Sequence, residues 1–330
     1  MTKHATPILL AALLLGGCGG GDTGVQPRAG DSATSPAAVP VPVLDQDFPD
    51  PDVLLVDGTY YAYATQPGDG SVNVQMATST DLQSWEAQVQ DPLPELPSWA
   101  TNDRTWAPEV TAGPDGYLMY FTAHNVDPDL QCIGVATSAS PAGPFRPVGD
   151  EPLVCPAAQG GAIDAASFVE PGGARYLLSK NDGNCCGQDT WLQLQPLSAD
   201  GLRLTGSATK LIKQDRPWEG NLIEAPTLVR HGSSYLLFYS ANDYGGEMYA
   251  TGYATASRIE GPYEKAAGPL LTSAATGVTG PGGQDVVVDE SGEAHLVFHG
   301  WDPAVVYRAM YVADLTWDGY TPVPAITEKQ

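Results

Sequence analysis

The chain has 330 residues, with 15 Lys and Arg against 39 Asp and Glu, so its formal net charge is −24. A surface this acidic repels phosphate backbones, which argues against a nucleic-acid partner. Gly and Pro number 37 and 29, while charged residues make up only 16% of the chain. This composition favours many turns and an all-β protein. No apolar run reaches the roughly 18 residues that a membrane-spanning helix needs.

An export signal is predicted at the N-terminus, over residues 1–18. Lys3 gives it a positive start, and a short apolar core follows over residues 7–15. The segment Leu15-Gly16-Gly17-Cys18 resembles a bacterial lipobox, in which the cysteine is lipidated and becomes the first mature residue. An ordinary secretory signal with a chance Cys18, giving a fully secreted protein, is the alternative. We therefore expect an exported protein that touches the membrane only through a lipid anchor on Cys18.

A tether is predicted after the signal, over residues 19–43. It is rich in Gly, Ser, Thr, Ala and Pro and has no hydrophobic period, as is typical of disordered linkers. The remaining residues, 44–330, form the predicted folded domain, which we expect to be a monomer.

Four cysteines follow the signal, and an exported protein can oxidise them. We expect a disulfide between Cys132 and Cys155, because two sequential predicted strands carry them. Cys185 and Cys186 are then either a vicinal disulfide or free thiols. A zinc site is the weaker alternative, since the spacing lacks C-x-x-C pairs and nearby histidines.

A strand, a Gly-containing turn and a second strand recur five times along residues 44–330, each time followed by a third strand. Aligned on the polar residue before the first apolar pair, the repeats are 57, 58, 60 and 58 residues apart. Such a period suits a four-stranded propeller blade with long loops. We therefore predict an all-β, five-bladed β-propeller with its active site at one end of the central axis. A β-sandwich with chance similarity is the alternative. The aligned residues are Asp52, Glu109, Ser167, Thr227 and Asp285.

Three carboxylates stand two or three residues before these aligned positions: Asp50, Asp164 and Glu224. Because the innermost strands of a propeller surround one channel, we expect the three side chains to converge at one end of the axis. Converging carboxylates repel one another, so some are held protonated or paired. A glycoside hydrolase requires such an arrangement, with one acid for the leaving oxygen and one base for water. Calcium binding by the three is the other interpretation.

Several motifs in residues 44–330 resemble those of the family 43 glycoside hydrolases, five-bladed propellers that cleave arabinose- and xylose-containing polysaccharides with inversion. They are Asp50-Pro51-Asp52-Val53, Trp106-Ala107-Pro108-Glu109-Val110, Ile163-Asp164-Ala165-Ala166-Ser167 and Ile223-Glu224-Ala225-Pro226. The resemblance implies that Asp50 is the general base, Asp164 tunes and orients the acid, and Glu224 is the general acid.

The resemblance also bears on ions and cofactors. No cofactor is expected. Gly283 stands where many members carry a histidine that helps to hold an axial ion or water cluster, which weighs against a metal site in this chain. Gln284 and His299 are the candidates to substitute for that histidine.

The substrate implied by the resemblance is arabinose-containing polysaccharide of the plant cell wall. We expect release of arabinose from α-1,5-arabinan or its oligosaccharides, with exo action favoured over endo action. A β-xylosidase, a non-catalytic glycan-binding propeller and a retaining propeller acting on fructans are the alternatives. The expected substrate contacts are Trp106, Asn181, Asn221, Gln284 and His299.

Overall fold

The computed structural model describes residues 40–326, which form five four-stranded antiparallel sheets. The predicted export signal, Cys18 and nearly all of the predicted tether lie outside the described residues. Each sheet pairs its strands in chain order, and the five sheets are the blades of a propeller. The prediction of an all-β, five-bladed β-propeller is confirmed. In residues 40–326 no helix is long and apolar enough to cross a membrane.

The blades are numbered one to five along the chain, and the strands of each blade follow one another from the axis outward. Blade one holds β1 (Asp52–Val56), β2 (Thr59–Ala64), β3 (Gln75–Ser79) and β4 (Glu86–Ala87). Blade two holds β5 (Trp106–Gly113), β6 (Gly116–Asn125), β7 (Leu130–Ser138) and β8 (Arg146–Pro147). Blade three holds β9 (Ala162–Val169), β10 (Arg175–Asn181), β11 (Trp191–Pro196) and β12 (Thr209–Lys213). Blade four holds β13 (Ile223–His231), β14 (Ser234–Ala241), β15 (Ala250–Ala256) and β16 (Glu264–Lys265). Blade five holds β17 (Thr279–Val288), β18 (Ala294–Trp301), β19 (Arg308–Asp318) and β20 (Thr321–Ile326). Short helices lie in the loops, with 3-10 turns at Ala157–Gln159, Gly183–Cys186 and Pro217–Glu219 and one α-helical turn, α1, at Ser273–Thr276.

The hydrophobic core is divided among the interfaces between neighbouring blades. Each of the five interfaces in the described chain has its own cluster of buried apolar side chains. Between blades one and two, for example, Tyr63 and Phe145 meet edge to face with ring centroids 6.5 Å apart. Because both faces of a blade are covered, a middle strand such as β6 is apolar almost throughout rather than alternating. The site at the axis is therefore built on a rigid frame.

The channel wall carries three of the aligned carboxylates, and they join the blades to one another. Asp52 Oδ2 accepts a hydrogen bond from Val110 N–H at 2.8 Å, and Asp285 Oδ2 accepts one from Val53 N–H at 3.0 Å. Glu109 likewise bonds the next inner strand, at the backbone of blade three. Burial, with the neighbouring carboxylates, raises the pKa of Asp52 well above its usual range and that of Glu109 to about 7. Burial raises the pKa of Asp285 to about 6.

The segment before blade one runs beside blade five and so connects the two ends of the ring. Leu44 forms a bridge to Met310 on β19, and Phe48 N–H donates to Arg308 O at 2.8 Å. Asp50 follows directly, and this brings it next to the inner strands of blade five.

Two disulfides are present in the described residues. Cys132, on β7, is bonded to Cys155, which follows the bridge between Ile133 and Val154 rather than lying on a full strand. The adjacent residues Cys185 and Cys186 are bonded to each other in the loop after β10.

Candidate active site

The inner strand of every blade begins with the same backbone irregularity. Residues that are not glycine rarely adopt positive φ, and a bulge re-aims the side chains next to it. In blades two to five the strand pairing changes register at this point. Strained backbone of this kind concentrates at functional sites. The positive φ angles are 55° at Asp50, 38° at Ala107, 54° at Asp164, 49° at Ala225 and 56° at Gly283.

This irregularity corrects the repeat alignment in blade three. Counted from the positive-φ residue, Asp164 is equivalent to Asp50, and Ala166, not Ser167, occupies the aligned position. Glu224 lies one residue before the corresponding position in its own blade. Blade three has an alanine, Ala166, where the other four blades have a polar residue, so the sequence alignment moved to the next polar residue, Ser167.

A pocket of about 480 Å³ lies at this end of the axis, and all three predicted carboxylates line it. Asp50 comes from blade one, Asp164 from blade three and Glu224 from blade four. The structure thus brings together side chains that are up to 174 residues apart in the sequence. Aromatic and charged side chains complete much of the wall, namely Trp106, Tyr244, Tyr249, Lys180 and Arg308.

Asp50 is held as an anion. Arg308 Nη1 lies 3.5 Å from Asp50 Oδ1, and the Thr65 hydroxyl donates to Asp50 Oδ2 at 2.7 Å. Burial raises the pKa of Asp50, but Arg308, His299 and Thr65 together outweigh it, so the pKa lies below its ordinary value. Asp50 N–H donates to His299 Nδ1 at 3.0 Å. The carboxylate is therefore ionised and fixed in the pocket, with its oxygens available to a water molecule.

Glu224 and Asp164 form the second half of the site. Lys180 Nζ donates to Glu224 Oε2 at 3.1 Å, and the Tyr249 hydroxyl donates to Glu224 Oε1 at 2.9 Å. Asp164 Oδ2 accepts a hydrogen bond from Ala225 N–H at 2.8 Å. Burial and the adjacent Glu224 carboxylate raise the pKa of Asp164 to about 7. Asp164 is therefore partly protonated near neutral pH, whereas the lowered pKa of Asp50 keeps that carboxylate ionised.

The comparison with known proteins agrees with this fold. The family model described as "Glycosyl hydrolases family 43" matches residues 39–321. The chain belongs to glycosyl hydrolase family 43. It is 26% identical to the extracellular endo-α-(1→5)-L-arabinanase 1 of Bacillus subtilis (strain 168), over 83% of this chain and 86% of that protein.

Two further comparisons involve family members. An extracellular exo-α-(1→5)-L-arabinofuranosidase of Streptomyces avermitilis is 26% identical over 81% of this chain and 58% of its own length. The crystal structure of a thermostable family-43 glycoside hydrolase superposes with a TM-score of 0.77 at 27% identity, covering 89% of this chain and 97% of the other. The protein is therefore a glycosidase.

Of the predicted substrate contacts, Trp106 lines the pocket of this family 43 enzyme. Asn221 is exposed on the surface and is not among the residues that line the pocket. Three other predicted contacts, Asn181, Gln284 and His299, are buried, with exposures of 3%, 4% and 0%.

The hydrogen bonds of the buried three go to the protein itself, which corrects their predicted role. Asn181 Nδ2 donates to Gln159 O and Asp189 O, and Gln284 Nε2 donates to Ala225 O. His299 supports Asp50 from behind, through the bond from the Asp50 N–H. These side chains stabilise the loops and strands beneath the pocket and do not line the pocket itself.

Sequence reasoning missed Lys180, Tyr249 and Arg308. Each lies outside the inner-strand motifs: Lys180 is the last residue but one of β10, Tyr249 precedes β15, and Arg308 begins β19. The available signal for Lys180 was a lysine just after the apolar run of a middle strand, because a lysine is rarely buried unless it is paired. Burial lowers the pKa of Lys180, but the attraction of Glu224 and the other nearby carboxylates outweighs it and raises that pKa.

His299 does not fit the predicted role of a substitute ion ligand. Its Nδ1 accepts a backbone hydrogen bond, and burial together with Arg308 lowers its pKa to about 3, so the ring is neutral. The ring proton is therefore on Nε2, which cannot then coordinate a metal. A Cβ at Gly283 would lie 2.4 Å from the His299 ring, so His299 occupies the space beside that glycine. Within residues 40–326 no group of three or more His, Cys, Asp or Glu side chains is arranged to hold a metal ion.

Proposed function

We propose that the protein hydrolyses α-1,5-linked arabinan or its oligosaccharides with inversion and releases arabinose. The support for arabinan comes from the family 43 relatives, which are named for action on α-(1→5)-linked arabinose polymers. Exo action is proposed because one relative is named an exo-α-(1→5)-L-arabinofuranosidase, and endo action, for which another relative is named, is the alternative. A β-xylosidase of the same family is the enzymatic alternative.

In the proposed reaction Asp50 is the general base and Glu224 is the general acid. Asp50 removes a proton from a water molecule, and the water oxygen bonds to the anomeric carbon as the glycosidic bond breaks. Glu224 gives its proton to the departing oxygen, so the products are arabinose of inverted configuration and a shortened chain. Each carboxyl group then exchanges its proton with solvent before the next turnover.

Asp164, Lys180 and Tyr249 prepare the acid for this step. The Tyr249 hydroxyl and the Lys180 ammonium hold the two oxygens of Glu224 in one orientation. Asp164 and Glu224 repel each other when both are ionised, and this repulsion contributes to the raised pKa of Asp164. Lys180 stabilises the Glu224 carboxylate that remains after the proton has left, which promotes the transfer itself.

One observation carries the proposal. A single pocket contains a carboxylate whose pKa is lowered, Asp50, and a carboxyl pair in which the pKa of Asp164 is raised to about 7. Environments that push the pKa values of neighbouring acids apart are characteristic of acid–base catalysis. A propeller that only bound glycan would have no need for this separation.

Product analysis tests the proposal. The purified protein is incubated with linear arabinan, arabinoxylan and xylo-oligosaccharides, and products are followed by chromatography and by NMR of the anomeric protons. We expect monomeric arabinose from linear arabinan, appearing first as the β-anomer. Xylose as the main product would favour the β-xylosidase, oligosaccharides without monomer would favour endo action, and first release of the α-anomer would contradict inversion.

We also propose that the protein is exported and anchored at the cell envelope through a lipid on Cys18. The names of the relatives, which are called extracellular, support export. Fractionation of cells that express the full chain should place the protein with the membranes. The Cys18→Ser variant should be found outside the membrane fraction, and an unchanged distribution would contradict the anchor.

A further inference from the structure

The vicinal disulfide Cys185–Cys186 borders the catalytic pocket, and Cys185 is one of the lining residues. The two residues end the 3-10 turn Gly183–Cys186, in the loop that joins β10 to β11. Cys185 lines the same pocket as Glu224, together with Asn184 and Asp182. Since Lys180 precedes the loop and binds Glu224, the disulfide is only a few residues from the acid's partner along the chain.

This disulfide has no role in the hydrophobic core. Cys185 and Cys186 are both exposed, whereas Cys132 of the other disulfide is fully buried among apolar side chains. A bond between neighbours closes almost no loop, so it restricts the unfolded chain far less than a long-range disulfide does. Its effect must therefore be local, at the surface that it presents.

The surrounding contacts hold the disulfide in a fixed position. The buried Asn181 side chain donates to Asp189 O and to Gln159 O, each at 3.1 Å, and so ties the end of the loop to the preceding turn. Cys185 Sγ lies 3.7 Å from Gly160 O. A Cβ on Gly160 would lie 3.2 Å from that sulfur, which is closer than ordinary van der Waals contact, so the close approach requires a glycine. These contacts fix Cys185 in one position in the lining of the pocket.

We propose that the Cys185–Cys186 disulfide is a substrate-contacting wall of the pocket, which packs against the C–H face of a bound sugar residue. Much of the remaining lining is charged, with five carboxylates, Lys180 and Arg308. A sugar presents both hydroxyls and an apolar C–H face, so its site needs apolar surface as well as polar groups. Two uncharged, polarisable sulfurs in a rigid ring supply such a surface. The inference rests on the proposed function, because it assigns a binding role within that site.

The double variant Cys185→Ser/Cys186→Ser removes the sulfurs with little change in volume. A contact made equally in the ground state and the transition state affects KM and leaves kcat unchanged. We expect KM for arabino-oligosaccharides to rise about tenfold, as for the loss of one apolar contact, while kcat stays within about twofold. The matched control is Gln188→Ser, an exposed position of the same loop that does not line the pocket; its KM should equal that of the wild type. An unchanged KM in the double variant would overturn the inference.

Reduction provides a second test that needs no substitution. Treatment of the wild-type protein with a phosphine reductant should raise KM by a similar factor, with opening of the vicinal bond followed by mass spectrometry of alkylated peptides. The same treatment of the double variant should change nothing further. A KM shift that the reductant causes equally in the double variant would assign the effect to Cys132–Cys155 and overturn the inference.

Direct binding separates the inference from the proposed function. Calorimetric titration with arabinotriose measures affinity in the Glu224→Gln background, with and without the two serine substitutions. Weaker binding only when the sulfurs are absent would support the inference. Equal binding, in a parent protein that hydrolyses arabinan, would refute the disulfide wall alone. A parent protein that neither hydrolyses arabinan nor binds arabinotriose would refute both.

Discussion

Removing the positive charge of Arg308 should move the pH dependence of the enzyme. Arg308 Nη1 stands 3.5 Å from Asp50 Oδ1, and the two side chains are 16% and 23% exposed. At that distance and an effective dielectric constant of about 20, the attraction is about 5 kcal/mol. Contact with water reduces it, so a pKa change of about 1–3 units is the realistic range. Because an opposite charge favours the ionised form, its loss raises the pKa of Asp50.

The assay is the pH profile of kcat/KM between about pH 4 and 9 on an aryl arabinofuranoside, since this ratio reports ionisations of the free enzyme. The acidic limb should move upward by about 1–3 pH units in Arg308→Met. In the matched control Arg308→Lys, which keeps the charge, most of that movement should be absent. A kcat/KM that falls equally at every pH, with the limb in place, would show that Arg308 binds substrate without tuning Asp50.

Three further predictions concern residues around the site. Asp164→Asn should keep substrate affinity but lower kcat and displace a limb of the pH profile, as measured by steady-state kinetics; unchanged turnover would remove Asp164 from the mechanism. His299→Phe leaves the buried Asp50 N–H without an acceptor, so kcat should fall about tenfold or more. His299→Gln keeps an acceptor and should retain much of the wild-type kcat. Equal losses of kcat in both variants would contradict the positioning role. Because their pKa values are raised, the channel carboxylates Glu109 and Asp285 bind more protons in the folded state than in the unfolded chain. Their contribution to stability is therefore greatest below about pH 4 and is lost as pH rises toward about 7. In urea titrations Asp285→Asn should flatten that fall by about 1–3 kcal/mol, and an unchanged slope would show that Asp285 is not protonated in the folded protein.

The sequence alone was enough to predict the blade count and the meeting of three distant carboxylates. Both follow from the repeat, because equivalent positions in a closed ring of blades must surround one axis. Asp50 and Glu224 could be found in this way even though each is an ordinary strand-end acid when considered alone.

The register of blade three could not be read from the sequence. The alignment used the polar residue before the apolar pair, and blade three has Ala166 at that position, so Ser167 looked equivalent to residues that the structure aligns with Ala166. The sequence also did not reveal which polar side chains are buried. Asn181 precedes a polar loop that suggested a sugar contact, yet its side-chain amide donates hydrogen bonds to backbone carbonyls of the surrounding loops.

Partners contributed by the outer strands were also beyond the sequence. Lys180, Tyr249 and Arg308 reach the pocket from positions that the inner-strand repeat does not mark. Their effect on the carboxylates depends on distances of 3.1 Å from Lys180 to Glu224 and 3.5 Å from Arg308 to Asp50, both across blades. Only tertiary packing determines such distances. These contacts give Asp50 a different electrostatic environment from that of Glu224 and Asp164.

The most direct test of the assigned roles compares Asp50→Ala and Glu224→Ala on two substrates of different leaving group. A nitrophenolate leaves without protonation, whereas the alkoxide of arabinan needs a proton. Glu224→Ala should therefore lose about 10²–10⁴-fold in kcat on arabinan and far less on nitrophenyl arabinofuranoside. Asp50→Ala should lose a similar, large factor on both, because every substrate requires the activated water. Sparing of the aryl substrate by Asp50→Ala but not by Glu224→Ala would reverse the roles, and full activity in both correctly folded variants would contradict the catalytic assignment altogether.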